Sequence, residues 1–216
     1  MKNLNLEGQK RSKPVERKNL IILTWEYPPR IVGIISKQVK RLCDYLVTQG
    51  IKPYVFTFDE WSPGKGHEGD VYVERVTNPV KTHVNVFSWT ITLNSSLFKA
   101  VSDYIYEKEE KFDLVHVHEW IPCPTAIAVK YSFGIPFILS LYSLEDHRTG
   151  GFFTPYSQNI KDMESEGILE AEKIIVHDKR TYRGLIDIHS VRESKIKLIP
   201  YNKNFDEYIN AYCEIT

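Results

Sequence analysis

Three short stretches carry residues whose types and spacing allow chemistry. In LTWEYPPRIVGIISKQVKRL, residues 23–42, an apolar run ends, Pro28 and Pro29 stiffen a turn, Gly33 follows, and apolar positions then recur at helical spacing. A strand, turn and helix in that order bring free backbone N–H groups to the head of a parallel sheet, where α/β enzymes hold phosphates. One glycine is a weak phosphate signal, because Gly33 would equally relieve crowding where the helix packs on the sheet. In DLVHVHEW, residues 113–120, His116 and His118 share a strand face beside Glu119. A third ligand at metal spacing is missing, so no metal is assigned, and His116 reads as a hydrogen-bonded core residue. In LYSLEDHRTGG, residues 141–151, Glu145 and Arg148 read either as an exposed ion pair of little energetic weight or as substrate contacts. His147 and His177 read as solvated or loop-anchoring, and the glutamates of MESEGILEAE as a wet helix face.

The elements that must position these residues alternate. NLIILTW, starting at Asn19, is a continuous apolar run typical of a strand buried on both faces. Ile35, Val39, Leu42, Cys43 and Leu46 mark a helix that stops near Gly50, and KPYVFTF completes a right-handed βαβ unit. DEWSPGKGHEGD reads as a loop, and VYVERV and VNVFSW as short strands or an edge hairpin. Helical spacing returns past Asn94, followed by the strand FDLVHVH, a helix over 122–133 and the strand IPFILSLY. A loop to about Tyr156, a helix at IKDMESEGILEAE, the strand KIIVH, a short helix over 179–188 and the strand KIKLIP close the series. The expectation is an α/β fold: a single Rossmann-like, doubly wound, mostly parallel sheet with helices on both faces and ligands beyond the carboxyl ends of its strands.

Composition narrows the partners. The 216 residues hold 28 Lys+Arg against 28 Asp+Glu, so no bulk charge calls for nucleic acid or a membrane surface. Residues 1–18 carry six basic and two acidic residues and read as a disordered basic tail. Cys43, Cys123 and Cys213 lack metal or CxxC spacing and read as packing residues of a reducing compartment. No apolar run is long enough to span a bilayer and no secretion signal is recognisable, so a cytoplasmic location is expected.

Five segments in register, from about Asn19 to the end of the chain, resemble the amino-terminal domain of GT-B glycosyltransferases of the glycogen/starch synthase type. They are EYPPRIVGIISKQV, DLVHVHEW, GIPFILSLYSLEDHRTGG, AEKIIVHDKRTYRGL and KIKLIPYNKNFDEY. The resemblance implies a domain, here 19–204, that presents an α-glucan or oligosaccharide acceptor, while a carboxyl-terminal domain grips a nucleotide sugar. It implies acceptor-side contacts from Glu26, His118, Glu119, Trp120, Glu145 and Arg148, a phosphate loop at Gly33 and Ile34, and no cofactor or metal. Carboxylates accept hydrogen bonds from sugar hydroxyls and an aromatic face covers an apolar sugar face, although Trp120 could equally be interior packing.

Three departures from the family pattern count against catalysis by this chain alone. Ile34 replaces a glycine, and a β-branched residue there is expected to crowd the phosphate approach. Tyr142 stands at the family's histidine position and offers a differently aimed polar atom. Tyr201-Asn202 replaces Asn-Gly, and 205–216 reads as a truncated linker or helix where a donor domain would follow. Three readings stay open. One is a degenerate acceptor domain that binds glucan or an active synthase. Another is half of a split glycosyltransferase whose donor domain lies on another chain. The third is a flavodoxin-like nucleotide-binding protein.

Overall fold

The structure, a computed structural model, describes residues 18–201 and 205–216, so the basic tail, Lys18 apart, lies outside the described residues. Eight strands form one sheet in the order β3-β4-β2-β1-β5-β6-β7-β8. They are β1 (Asn19–Thr24), β2 (Lys52–Phe58), β3 (Gly64–Glu68), β4 (Val71–Val76), β5 (Leu114–His118), β6 (Phe137–Leu141), β7 (Lys173–Val176) and β8 (Ile196–Leu198). Every neighbouring pair is parallel except β3 with β4. The helices are α1 (Ile34–Thr48), α2 (Val86–Lys108), α3 (Cys123–Phe133), α4 (Glu145–Thr149), α5 (Pro155–Glu170), α6 (Lys179–Asp187) and α7 (Asp206–Cys213).

The apolar run of β1 is continuous because both faces are covered. Leu20 and Ile22 pack with Val39, Leu42 and Leu46 of α1 and with Tyr208 and Tyr212 of α7. Ile21 and Leu23 face Leu93 and Leu97 of α2, Val129 of α3 and Ile160 and Met163 of α5. The doubly wound, Rossmann-like sheet is therefore as the alternation predicts. The chain winds one way from β1 through β2 to β4 and the other way from β5 to β8. The crevice at which such folds hold ligands accordingly opens between the carboxyl ends of β1 and β5.

Local assignments differ at three places, each for a physical reason. VNVFSW is helix, not strand: Asn85 caps α2 by accepting from the Ser88 amide at 2.9 Å while Ser88 returns a capping-box contact, and α2 begins at Val86 instead of past Asn94. The segment read as a loop after Asp59 contains β3, whose five exposed residues make a polar sheet edge paired antiparallel to β4. The loop read up to Tyr156 contains α4, and α5 begins at Pro155 behind a Thr154–Ser157 capping box.

Candidate functional site

At the crevice, a cleft of about 430 Å³ is lined by Trp25, Glu26, Ile34, Glu119, Trp120 and Arg148, among others. A larger cavity of about 710 Å³ lies beside Lys195 and Glu172, at the amino-terminal ends of β7 and β8. That is the wrong end of a parallel sheet for an active centre.

The loop from Trp25 to Gly33 is held from within. The Arg30 guanidinium lies 5.1 Å from the Trp25 ring and 5.0 Å from the Phe58 ring, and Ser36 donates to the Arg30 carbonyl at 2.9 Å. Glu26 is fully buried, and its Oε2 accepts from the backbone N–H of Val32 at 2.6 Å and of Gly33 at 2.8 Å. Two successive N–H groups ahead of a helix form an anion-binding nest, and here a side-chain carboxylate of the same loop fills it. Glu26, expected to face sugar hydroxyls, is thus committed to backbone through one oxygen, and its Oε1 is buried without a partner among the described residues.

This corrects the expectations for Gly33 and Ile34. Gly33 has φ −145°, and a Cβ there would meet only Glu26 Oε1 at 3.5 Å, so neither close packing nor unusual backbone requires glycine. Ile34 is the first residue of α1 and 53% exposed at the cleft rim. It does not plug the nest. With Ile31 and Val32, also more than half exposed, it forms an aliphatic lip.

Glu119 sits at the end of β5 in the left-handed region, φ 69°, a conformation that costs a non-glycine residue energy. Its Oε1 accepts from the Tyr142 amide at 2.7 Å, which ties the exit of β5 to the exit of β6. Burial pushes its carboxyl pKa up, against Arg148 and the amides of Tyr142, Trp120 and Ser143, which lower it. Trp120 is 7% exposed, with part of its surface on the cleft and the rest in the core.

Beneath the cleft floor the histidines form a buried cluster. His116 bonds Tyr212 Oη through Nδ1 and Ser140 Oγ through Nε2, both at 2.8 Å, as expected of a hydrogen-bonded core residue. His118 Nδ1 lies 3.0 Å from Tyr142 Oη and its buried Nε2 has no partner among the described residues, so its polar atoms are turned inward. Tyr142 is bound to His118 and lies 4.5 Å from the His177 ring. His177 anchors the chain after β8 by bonding the Ile199 carbonyl at 2.8 Å. Desolvation lowers the pKa of all three imidazoles, that of His116 to about 3, so the cluster is neutral at physiological pH.

Glu145 and Arg148 are not an exposed pair. Arg148 donates from Nε to Glu145 at 2.7 Å and from Nη2 to Glu164 at 3.0 Å, and the Glu164 side chain is 0% exposed. Glu164 also accepts from the Glu145 amide at 3.0 Å. Its reading as part of a wet helix face is therefore overturned. The missed signal is the stripe Ile160, Met163, Glu164, Gly167, Ile168, buried throughout, in which a carboxylate requires a partner. Burial pushes the Glu164 pKa up to about 7 despite Arg148. Arg148, one-third exposed, turns its remaining surface to the cleft.

Ligand atoms of Asp146, Glu164 and His189 lie within 4.8 Å of one another. Lys161 already bonds Asp146 at 2.6 Å and Arg148 already bonds Glu164, so a metal there would displace two built ion pairs. Among the described residues no helix is long and apolar enough to cross a membrane.

The sequence profile of Glycosyltransferase Family 4 matches residues 35–201. An uncharacterized glycosyltransferase of Methanocaldococcus jannaschii is 29% identical over 183 residues, 85% of this chain and 45% of that one. A glycogen synthase of Mycobacterium tuberculosis is 20% identical over 172 residues, 72% of this chain and 41% of that one. The chain therefore spans less than half the length of these curated relatives. Among solved structures, sucrose-phosphate synthase from Thermosynechococcus elongatus superposes with TM-score 0.71 at 15% identity, covering 88% of this chain and 49% of that one. Starch synthase IV of Arabidopsis thaliana, bound to ADP and acarbose, superposes with TM-score 0.56 at 12% identity, covering 89% and 53%. The chain belongs to Glycosyltransferase Family 4 and has the GT-B amino-terminal fold that glycogen and starch synthases share.

Proposed function

We propose that this chain supplies the acceptor-side wall of a glycosyltransferase, holding an α-glucan or oligosaccharide in the cleft between β1 and β5 while a donor domain holds the nucleotide sugar. The observation that carries this reading is the Glu26 carboxylate seated on the Val32 and Gly33 amides. A diphosphate would have to displace a buried anion to reach those donors, whereas the cleft beside them is open and lined by Trp120, Ser143 and Arg148. On this reading 19–204 is the acceptor domain, a donor domain follows 205–216 or lies on another chain, and the aliphatic lip of Ile31, Val32 and Ile34 faces it. Tyr142, bonded to His118, takes no part in sugar transfer. Glu26 and Glu119 shape the cleft by fixing its loops, and Trp120, Arg148 and Ser143 touch the saccharide.

Titration with maltooligosaccharides, read by the Trp120 indole signal with Trp120→Phe as the assignment control, is expected to saturate by millimolar sugar. Nucleotide sugar is expected to leave the isolated chain unperturbed. A flat response to saccharide together with saturable nucleotide binding would replace the reading with a flavodoxin-like nucleotide-binding protein. Glucosyl transfer by this chain alone would overturn the assignment of the donor site elsewhere.

A further inference from the structure

A cavity of about 440 Å³ opens at the other end of the sheet from the cleft, at the starts of β2 and β4, and Tyr54, Tyr72, Tyr104, His67, Asp70 and Glu110 are among the residues that line it. Three phenol rings make one wall. Between centroids, Tyr104 lies 4.4 Å from Tyr72 and 5.4 Å from Tyr54, and Tyr54 lies 6.0 Å from Tyr72. Among the described residues no Lys or Arg lies over any of these three rings.

The charge beside that wall is negative and uncompensated. Glu110 Oε2 is buried without a partner among the described residues. A carboxylate oxygen withdrawn from water loses free energy that a hydrogen-bond donor restores. Among the described residues no basic nitrogen lies within 4.0 Å of a carboxylate oxygen of Glu110 or Asp70. Lys65 is taken by Glu107 at 3.6 Å, and the lining lysine, Lys52, is exposed at the start of β2 and pairs with neither acid.

The backbone contributes the same sign. Both α1 and α2 end beside the cavity, and the carboxyl end of a helix is its negative pole. α1 has no basic residue in its last turn, and α2 has Lys108 alone. The α2 cap, Glu109, holds φ 50°, a left-handed conformation that costs a non-glycine residue energy and turns the chain into Glu110. Burial and then Glu110 push the Tyr54 pKa up, and burial, Glu110 and Glu74 push that of Tyr104 up to about 12. The phenols are therefore neutral, and the carboxylates supply the charge.

We propose that this cavity is a binding site for a small primary alkylammonium, whose N–H groups bond Glu110 Oε2, whose charge also faces Asp70, and whose alkyl chain lies along the tyrosine wall. Charge-assisted hydrogen bonds and aromatic faces favour such a cation over a neutral molecule of the same size. The inference stands on this cavity alone and does not depend on what the saccharide cleft holds.

The test is a nuclear magnetic resonance titration of the full chain with n-butylammonium chloride and with n-butanol, its neutral counterpart, read at the amides of Gly50 and Gly69, which line the cavity, before and after Glu110→Gln. The ammonium is expected to bind at least about tenfold tighter than the alcohol, the effect of one charge-assisted hydrogen bond. Glu110→Gln should remove most of that advantage and leave n-butanol binding unchanged. Equal affinities in the unaltered chain overturn the proposal whatever the variant does, and so does an advantage that survives Glu110→Gln. Tetramethylammonium, which has no N–H, binding as tightly as n-butylammonium overturns the bond to Glu110 in favour of the rings alone. Nα-acetyl-lysine amide binding more tightly than n-butylammonium overturns the free amine in favour of a lysine side chain.

Discussion

Arg148→Ala tests the electrostatics of the cleft wall. Arg148 is the cation that serves Glu164, whose side chain has no exposed surface, and it also serves Glu145, which is 8% exposed. Removing one partner of a buried ion pair costs about 3–5 kcal/mol because the other charge is left uncompensated. The cost must depend on pH, since burial holds the Glu164 pKa up at about 7 even with Arg148 present. At pH 8 the wild-type carboxylate is ionised, and the variant either holds a bare buried charge or takes up a proton at about 1.4 kcal/mol for each unit that its pKa exceeds the pH. At pH 5.5 Glu164 is mostly protonated in both proteins, so the loss shrinks to a hydrogen bond or two, about 1–2 kcal/mol. For a chain of this size the pH 8 loss corresponds to a Tm lower by about 6–20 °C. Urea unfolding at the two pH values measures it. Arg148→Lys is expected to recover only part, because a compact ammonium lacks the planar fork that sets Nε on Glu145 and Nη2 on Glu164. Arg148→Ala/Glu164→Gln should recover most of the loss at pH 8. Equal losses at pH 5.5 and pH 8, or no recovery in the double variant, would refute the buried pair.

Other consequences are equally direct. Gly184→Ala forces a Cβ to 2.6 Å from Leu144 Cδ1 and is expected to cost about 1–3 kcal/mol in urea unfolding, whereas Gly33→Ala, with only a 3.5 Å contact, should cost less than about 1 kcal/mol. Tyr142→Phe leaves both His118 ring nitrogens buried without partners and should cost about 1–3 kcal/mol; a neutral effect would show that water reaches the ring. Acid stability follows from the histidine cluster. Because the His116 pKa falls from 6.5 to about 3, the unfolded chain binds more protons than the native one in that range, so stability declines as pH drops through it, by up to about 1.4 kcal/mol per pH unit for that residue. Glu119 and Glu164, with raised pKa values, act in the opposite sense above 4.5. The unfolding midpoint should therefore fall more steeply below pH 4.5 than above it, and a midpoint independent of pH between 3 and 4.5 would contradict a neutral cluster.

Much of the fold was legible because the parallel sheet is buried on both faces, so that β1 reads as an unbroken apolar run and β5 and β6 as runs interrupted only by His116, His118 and Ser140. What misled was local. VNVFSW alternates like a strand, but the Asn85 side chain captures the Ser88 amide and starts a helix. β3 carries no apolar residue and owes its conformation to pairing with β4, which a local pattern cannot express. At the site, position was legible and orientation was not. The segments holding Glu26, Glu119, Trp120 and Arg148 do meet at one cleft. That Glu26 turns onto the Val32 and Gly33 amides depends on how its own short loop closes, which residue types alone do not express, and that Glu119 turns onto the Tyr142 amide and His118 onto the Tyr142 hydroxyl depends on pairing between residues more than twenty positions apart. The Glu145–Arg148–Glu164 cluster was half visible, since Glu145 and Arg148 are three residues apart whereas Glu164 lies within the buried stripe of α5, among glutamates that otherwise read as a wet face.

The occupied nest is the claim on which the assignment of donor and acceptor sides turns, and the amide resonances of Val32 and Gly33 report it directly. Titrated with a nucleotide diphosphate, both are expected to stay in place, and Glu26→Ala is expected to release them to solvent and faster hydrogen exchange. Saturable shifts of these two amides on addition of the diphosphate to the unaltered chain, with the Glu26 carboxylate displaced, would contradict the account.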